Sequence, residues 1–221
     1  MMIGGAVVAL VLASGVVLVR VGRSDVPTDR APERVSGPEG RPYDDGSSTT
    51  SADPRLDHTE DGAALTAVVL AGASQRWLYL TDDDVRSSLG DIAAEGSVQR
   101  LTDEVLARIR PARDELMRSS GRIWWLVQPL AWRVERSSAA TATVSVWFVT
   151  ILSAVDVAIP QTAWRTGRFD LVWIDGSWWL DAMSDIPGPT PATGPDDDPW
   201  DAGTFDESLA GFTRLDRSSG S

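Results

Sequence analysis

The feature that most constrains this chain is the pair Asp175-Gly176, set in the run Phe169–Leu180, which reads Phe-Asp-Leu-Val-Trp-Ile-Asp-Gly-Ser-Trp-Trp-Leu. A two-residue type I′ turn needs positive φ at both central positions, and Asp-Gly between hydrophobic runs is the strongest short-range signal for it. On the incoming run Phe169, Leu171 and Trp173 share one face, while Asp170, Val172 and Ile174 share the other. On the outgoing run Trp178 and Leu180 lie together, with Trp179 and Asp181 opposite. Trp173 and Trp178 are placed to pair across the turn, a contact worth about 0.2–1 kcal/mol over alanine. The stretch predicts the closing hairpin of an antiparallel sheet.

Upstream, after Gly121, the apolar period is that of strands. Ile123–Val127, Ala131–Glu135, Ala140–Leu152 and Thr162–Ile174 alternate or run apolar, and Trp178–Met183 closes the set. Ala142, Val144, Val146, Phe148 and Thr150 form one face of the long strand; the other carries a half-buried Trp147. Before Gly121 the spacing is helical. Asp61 is placed to cap a helix over Ala63–Leu80, and Thr81-Asp82-Asp83-Asp84 reads as a cap and an acidic first turn before Val85 and Leu89. A third helix from about Thr102 carries Val105, Leu106 and Ile109 inward and is expected to end or kink at Pro111. Helices followed by a strand meander predict an α+β domain over 61–187, with helices on one face of a curved antiparallel sheet.

The flanks differ in composition. Met2–Val19 holds no charged residue, and residues 1–21 read as a membrane anchor; a helix of that length spans about 27 Å, with Arg20 able to snorkel. A cleaved signal peptide is the competing reading, opposed by the length of the apolar run and the lack of a basic leader; a buried core helix is a third. Arg20 and Arg23 follow the span and nothing basic precedes it, which alone would hold the rest of the chain in the cytoplasm. The Met-Met start suggests a basic segment upstream. Residues 22–60 are rich in Pro, Gly, Ser and Asp and read as a disordered tether, with a root-mean-square reach of about 35 Å. Pro187-Gly188-Pro189-Thr190-Pro191 stops the last strand. Residues 188–221 read as an acidic disordered tail, with Trp200, Phe205 and Phe212 as an alternative docking motif.

Composition removes several chemistries. The chain has no cysteine, and its one histidine, His58, falls in the expected linker, so disulfides, thiolate nucleophiles, Ser-His-Asp triads and Cys- or His-rich metal sites are not expected. Every basic residue is arginine, and the net charge of −12 is shared by linker, domain and tail. That balance opposes a nucleic-acid surface, which needs a basic stripe. The three aspartates at 82–84 are consecutive rather than alternating, so they do not form a calcium loop. No cofactor or metal is expected.

Lined up, anchor, tether, helices and sheet resemble the nuclear-transport-factor-2-like (cystatin-like) cone, and more narrowly actinobacterial membrane proteins bearing that domain outside the cell membrane. The likeness rests on Ala139–Val149 (Ala-Ala-Thr-Ala-Thr-Val-Ser-Val-Trp-Phe-Val), Leu171–Leu180 and Pro187–Pro191, with the leading helix at Gly62–Tyr79, and covers about 61–191. Such single-pass proteins are similar to the inner-membrane bridging subunit of type IV secretion and conjugation machines. The resemblance implies a non-catalytic scaffold that self-associates and touches other envelope or secretion subunits, with its domain extracytoplasmic. The missing basic segment before the anchor departs from that pattern.

The same fold also serves enzymes, whose reactions need a carboxylate base and a donor inside the cone. Asp156, Asp170 and Arg168, with Tyr79 as donor, are the candidates; the plainer reading leaves Asp156 in a loop and the other pair on the solvent face of a strand. Trp124, Trp125, Trp132, Trp147, Trp173, Trp178 and Trp179 fit packing or a protein contact better than a sugar cleft. Neighbouring tryptophans in a strand face opposite ways, which makes Trp125, Trp147, Trp173 and Trp179 the candidate interface. Three functions follow: an envelope assembly scaffold, a small-molecule-binding or isomerase- or hydrolase-like cone, and an accessory subunit of a lipid-import system. A cavity lined by indoles beside an inward carboxylate would favour the second.

Overall fold

The computed structural model describes residues 8–12, 15–19, 53–118, 123–154, 158–191 and 202–215. Where a membrane helix is expected, the described backbone is two short antiparallel strands, β1 (Val8–Leu12) and β2 (Gly15–Val19), in register from Val8↔Val19 to Leu12↔Gly15. Both carry valine, and β-branched residues favour extended backbone. Among the described residues no helix is long and apolar enough to cross a membrane. The rest of the expected span, and most of the expected tether, lie outside the described residues.

Three helices precede the main sheet: α1 (Glu60–Ala73), α2 (Asp82–Gly90) and α3 (Val98–Arg118). The cap of α1 is Thr59 rather than Asp61, its hydroxyl accepting from the Gly62 amide at 3.0 Å. After Ala73 the helix tightens into a 3-10 turn, Ser74–Tyr79. Thr81 caps α2 as expected, accepting from the Asp84 amide at 3.2 Å. Asp82 receives Arg110 at 2.5 Å and also Arg113, which clamp α3 to the start of α2 and hold the Asp82 carboxyl below its usual range. Pro111 neither ends nor interrupts α3. It and Ala107, whose carbonyl loses its partner, are both exposed, so water can satisfy the vacancy.

The main sheet has the order β6-β5-β4-β3-β7, all antiparallel: β3 (Ile123–Ser137), β4 (Thr141–Ala154), β5 (Ala158–Ile174), β6 (Ser177–Pro187) and β7 (Thr213–Arg214). The two strands expected at 123–135 are one, bent by register shifts at Pro129/Ala131 and Val134/Arg136 that curve the sheet toward the helices. Asp175 and Gly176 have φ of 50° and 84°, and Trp173 pairs with Trp178 across the turn, edge to face at 5.1 Å. The predicted inner face of β4 is buried from Ala142 to Thr150, against Ala64, Leu70, Leu101 and Val105 from the helices.

Both edges of the sheet are covered at particular positions. On β3 the Trp125 amide donates to the Tyr79 hydroxyl at 2.6 Å, the Val127 amide to the Gln75 carbonyl oxygen at 3.1 Å, and position 129 is a proline without an N–H. Next along, Ala131 and Trp132 pair with β7. On β6 the Leu180 backbone is bonded by Ile92 and Ala94, both contacts at 2.9 Å. Unpaired edges invite edge-to-edge association, and these positions are covered by side chains, proline and loop.

The packed body also begins earlier and ends later than 61–187. Before α1, the Trp178 indole donates to the Asp57 carbonyl at 2.9 Å, and the His58 ring stacks on Trp173 at 4.0 Å. After β6, the expected disordered tail supplies α4 (Ala202–Ser208) and β7. Tertiary contacts to aromatic side chains order segments whose own composition would leave them unstructured.

Candidate functional site

Between the helices and the concave face of the sheet lies a cavity of about 140 Å³. Its roof is Trp77 and Leu78 from the 3-10 turn and Val105, Ile109 and Ala112 from α3; its floor is Trp125 and Val127 of β3, Phe148 of β4 and Phe169 of β5. Gly167 makes room in that floor. A Cβ there would stand 2.9 Å from Phe148 Cε1 and 3.0 Å from Phe169 Cε2, so the two rings close over bare backbone.

One end of the cavity is polar. Arg165 of β5 is buried, and its Nε donates to Asp185 Oδ2 of β6 while Nη2 donates to the Asp185 carbonyl at 3.3 Å. Arg108 of α3 reaches the same carboxylate from the other side, Nη1 to Oδ1 at 3.3 Å. A buried guanidinium is tolerated when it is paired and hydrogen-bonded. The position of Arg165 is held by the chain leaving β6: the Gly188 amide donates to the Trp164 carbonyl at 2.9 Å, and a Cβ on Gly188 would fall 2.8 Å from the Arg165 carbonyl carbon. No proline or bulkier residue fits that approach.

The catalytic candidates lie elsewhere. Asp170 and Arg168 are on the convex face of β5, paired with each other at 3.2 Å, Asp170 also accepting from Thr143 at 2.7 Å. Beside them Glu135 accepts from Ser145 at 2.6 Å. The Ser145 hydroxyl, followed by Arg133 and Arg168, holds the Glu135 carboxyl below its usual range against partial burial. Tyr79 is turned to the β3 edge, where its hydroxyl accepts a backbone bond. Asp156 lies outside the described residues. Of the described candidates, Tyr79, Arg168 and Asp170, none lines the cavity.

The four candidate interface tryptophans are occupied within the chain. Trp125 lines the cavity. Trp147 stacks on Trp164 at 5.0 Å, donates to the Pro189 carbonyl at 3.1 Å and meets Phe205 of α4 edge-on. Trp173 carries His58, and Trp179 donates to the Ile174 carbonyl at 3.2 Å across its own turn. Of the other tryptophans Trp124 is the outward one, 66% exposed with Leu126 beside it. Phe212, from the alternative docking motif, lies under the Arg133 guanidinium at 4.8 Å; Trp200 is outside the described residues.

Sequence reasoning missed Arg108, Arg165 and Asp185. A signal for Arg165 was present: counting back in twos from the inward Phe169 gives Gly167 and then Arg165, an arginine at a core position. Among the described residues no group of three or more His, Asp or Glu side chains is arranged to hold a metal ion.

No protein-family model and no curated protein matches the chain. Among solved structures it is similar to the crystal structure of the intermembrane space region of the chloroplast protein ARC6, at 14% identity, over 57% of this chain and 97% of that one, with a TM-score of 0.34.

Proposed function

We propose that this domain is a non-catalytic small-molecule-binding cone of the nuclear-transport-factor-2-like kind. The observation that carries the reading is the cavity between helices and sheet, walled by Trp77, Trp125, Phe148 and Phe169 and ending in Arg108, Arg165 and Asp185. Pockets of this make-up, mostly apolar with a few converging polar groups, are the usual binding sites of small ligands. Both oxygens of Asp185 accept from guanidinium groups, so the carboxylate serves as a charge partner rather than as a base aimed at a substrate. The volume suits a ring.

The test is uptake of a ring-sized neutral probe, benzyl alcohol, by the full chain, followed by chemical-shift changes of the Trp77 and Trp125 indoles. Ala112→Ile, which fills the roof, is expected to abolish uptake while the melting transition persists. Uptake unaffected by Ala112→Ile, or no uptake by the unaltered chain, defeats the reading.

Trp124 favours a second reading, in which the domain is an envelope assembly scaffold, of the conjugation or secretion type, on an N-terminal membrane anchor. Its exposed indole and Leu126 form an outward apolar pair beside the covered positions of the β3 edge. Sedimentation of the full chain against Trp124→Ser tests self-association through that pair, and membrane fractionation with protease protection tests anchoring and the extracytoplasmic side.

A further inference from the structure

We infer that the ligand of this cavity carries an anionic head, a carboxylate on a ring-sized apolar body, received by Arg108. The inference rests on the cavity being a binding site and adds the chemical class of what binds. Among the described residues, the charged side chains that line the cavity are the Arg108 and Arg165 guanidinium groups and the Asp185 carboxylate that both of them reach.

Arg108 is the group that can meet a ligand. Arginine has five N–H donors in a planar fork, and Arg108 places one of them, Nη1, on the protein among the described residues, at 3.3 Å to Asp185. Its side chain is about a third exposed and lines the cavity. That fork matches a carboxylate better than a point cation would. Asp185 and Arg165 hold the head end in place: their pair fixes the carboxylate that orients Arg108, and Arg165 is itself pinned beneath Gly188. The apolar remainder follows from size. A cavity of about 150 Å³ lined by aliphatic and aromatic side chains admits benzene, and this one has about 140 Å³.

The experiment compares three probes that share a ring and differ in the head: benzoate, benzyl alcohol and benzylamine, titrated calorimetrically into the full chain. Benzoate is expected to bind roughly ten- to a hundredfold tighter than benzyl alcohol, the gain of a charge-assisted hydrogen bond. Arg108→Gln should bring benzoate and benzyl alcohol to the same affinity; Arg108→Lys should keep part of the preference. If benzyl alcohol or benzylamine binds as tightly as benzoate, the anionic head is wrong while the binding cavity stands. A benzoate preference that survives Arg108→Gln overturns the assignment to Arg108. If none of the three binds, the cavity is a packing gap and both readings fall.

Discussion

Phe205 stands edge-on to Trp147, ring centroids 5.8 Å apart, so the C-terminal helix meets the outward face of its own sheet at that indole. An edge-to-face pair of this kind is worth about 0.5–1.5 kcal/mol beyond its buried area. Phe205→Ala is expected to cost about that much and to move the Trp147 indole N–H resonance, since the ring beneath the Pro189 bond loses its cover. An unchanged Trp147 signal would mean that the tail does not dock there in solution.

The turn at Asp175-Gly176 makes a sharper claim. Both residues have positive φ, and a Cβ at Gly176 meets no neighbouring atom, so strain alone decides the outcome. Gly176→Ala should destabilise the domain by about 1–2 kcal/mol, while Asp175→Asn, which tolerates the same conformation, should leave the unfolding midpoint nearly unmoved. Equal effects in denaturant unfolding would contradict this.

Gly167 tests the floor of the cavity. Gly167→Ala forces Phe148 and Phe169 apart, an overpacking of about 1–3 kcal/mol, and the displaced rings have the cavity as their outlet. The variant should therefore lose both stability and benzyl alcohol uptake. Undiminished uptake would show that the rings yield in another direction.

Acid titration addresses the convex face. Glu135 is held below its ordinary value of 4.5, chiefly by the Ser145 hydroxyl. A lowered pKa in the folded state contributes stability that is complete above the unfolded value and is lost as pH falls through the folded one. Stability should thus be flat through neutral pH and decline below about 4.5, and Asp53 and Asp82, lowered by their arginines, act in the same direction. Ser145→Ala should raise the Glu135 pKa in an NMR titration and shrink the stability difference between pH 7 and pH 3. A Glu135 titration that ignores the substitution would remove Ser145 as the cause.

Reading from the chain alone reached the elements whose causes are local. Alternation along β4 marked its buried face, and a hydroxyl before acidic residues marked the start of α2. It misplaced the cap of α1, which is Thr59 rather than Asp61, and the end of α3, which runs on through Pro111. His58 and Phe205 look like linker and tail because few large apolar residues stand near them in the chain; each is held by a tryptophan about 115 and 58 positions away.

The amino-acid sequence by itself determined the hairpin at Asp175-Gly176, the α+β order, the inward faces and the absence of cysteine or multi-histidine chemistry, because these follow from φ/ψ preference, side-chain period and composition. Tertiary structure alone decided that Arg108, Arg165 and Asp185 meet at one end of an aromatic cavity, and that Phe205 of the tail meets Trp147 on the sheet's outer face. Those meetings depend on strand register and on the angle at which α3 crosses the sheet, and such distances are set by the packing of the whole core, which no window of neighbouring residues contains.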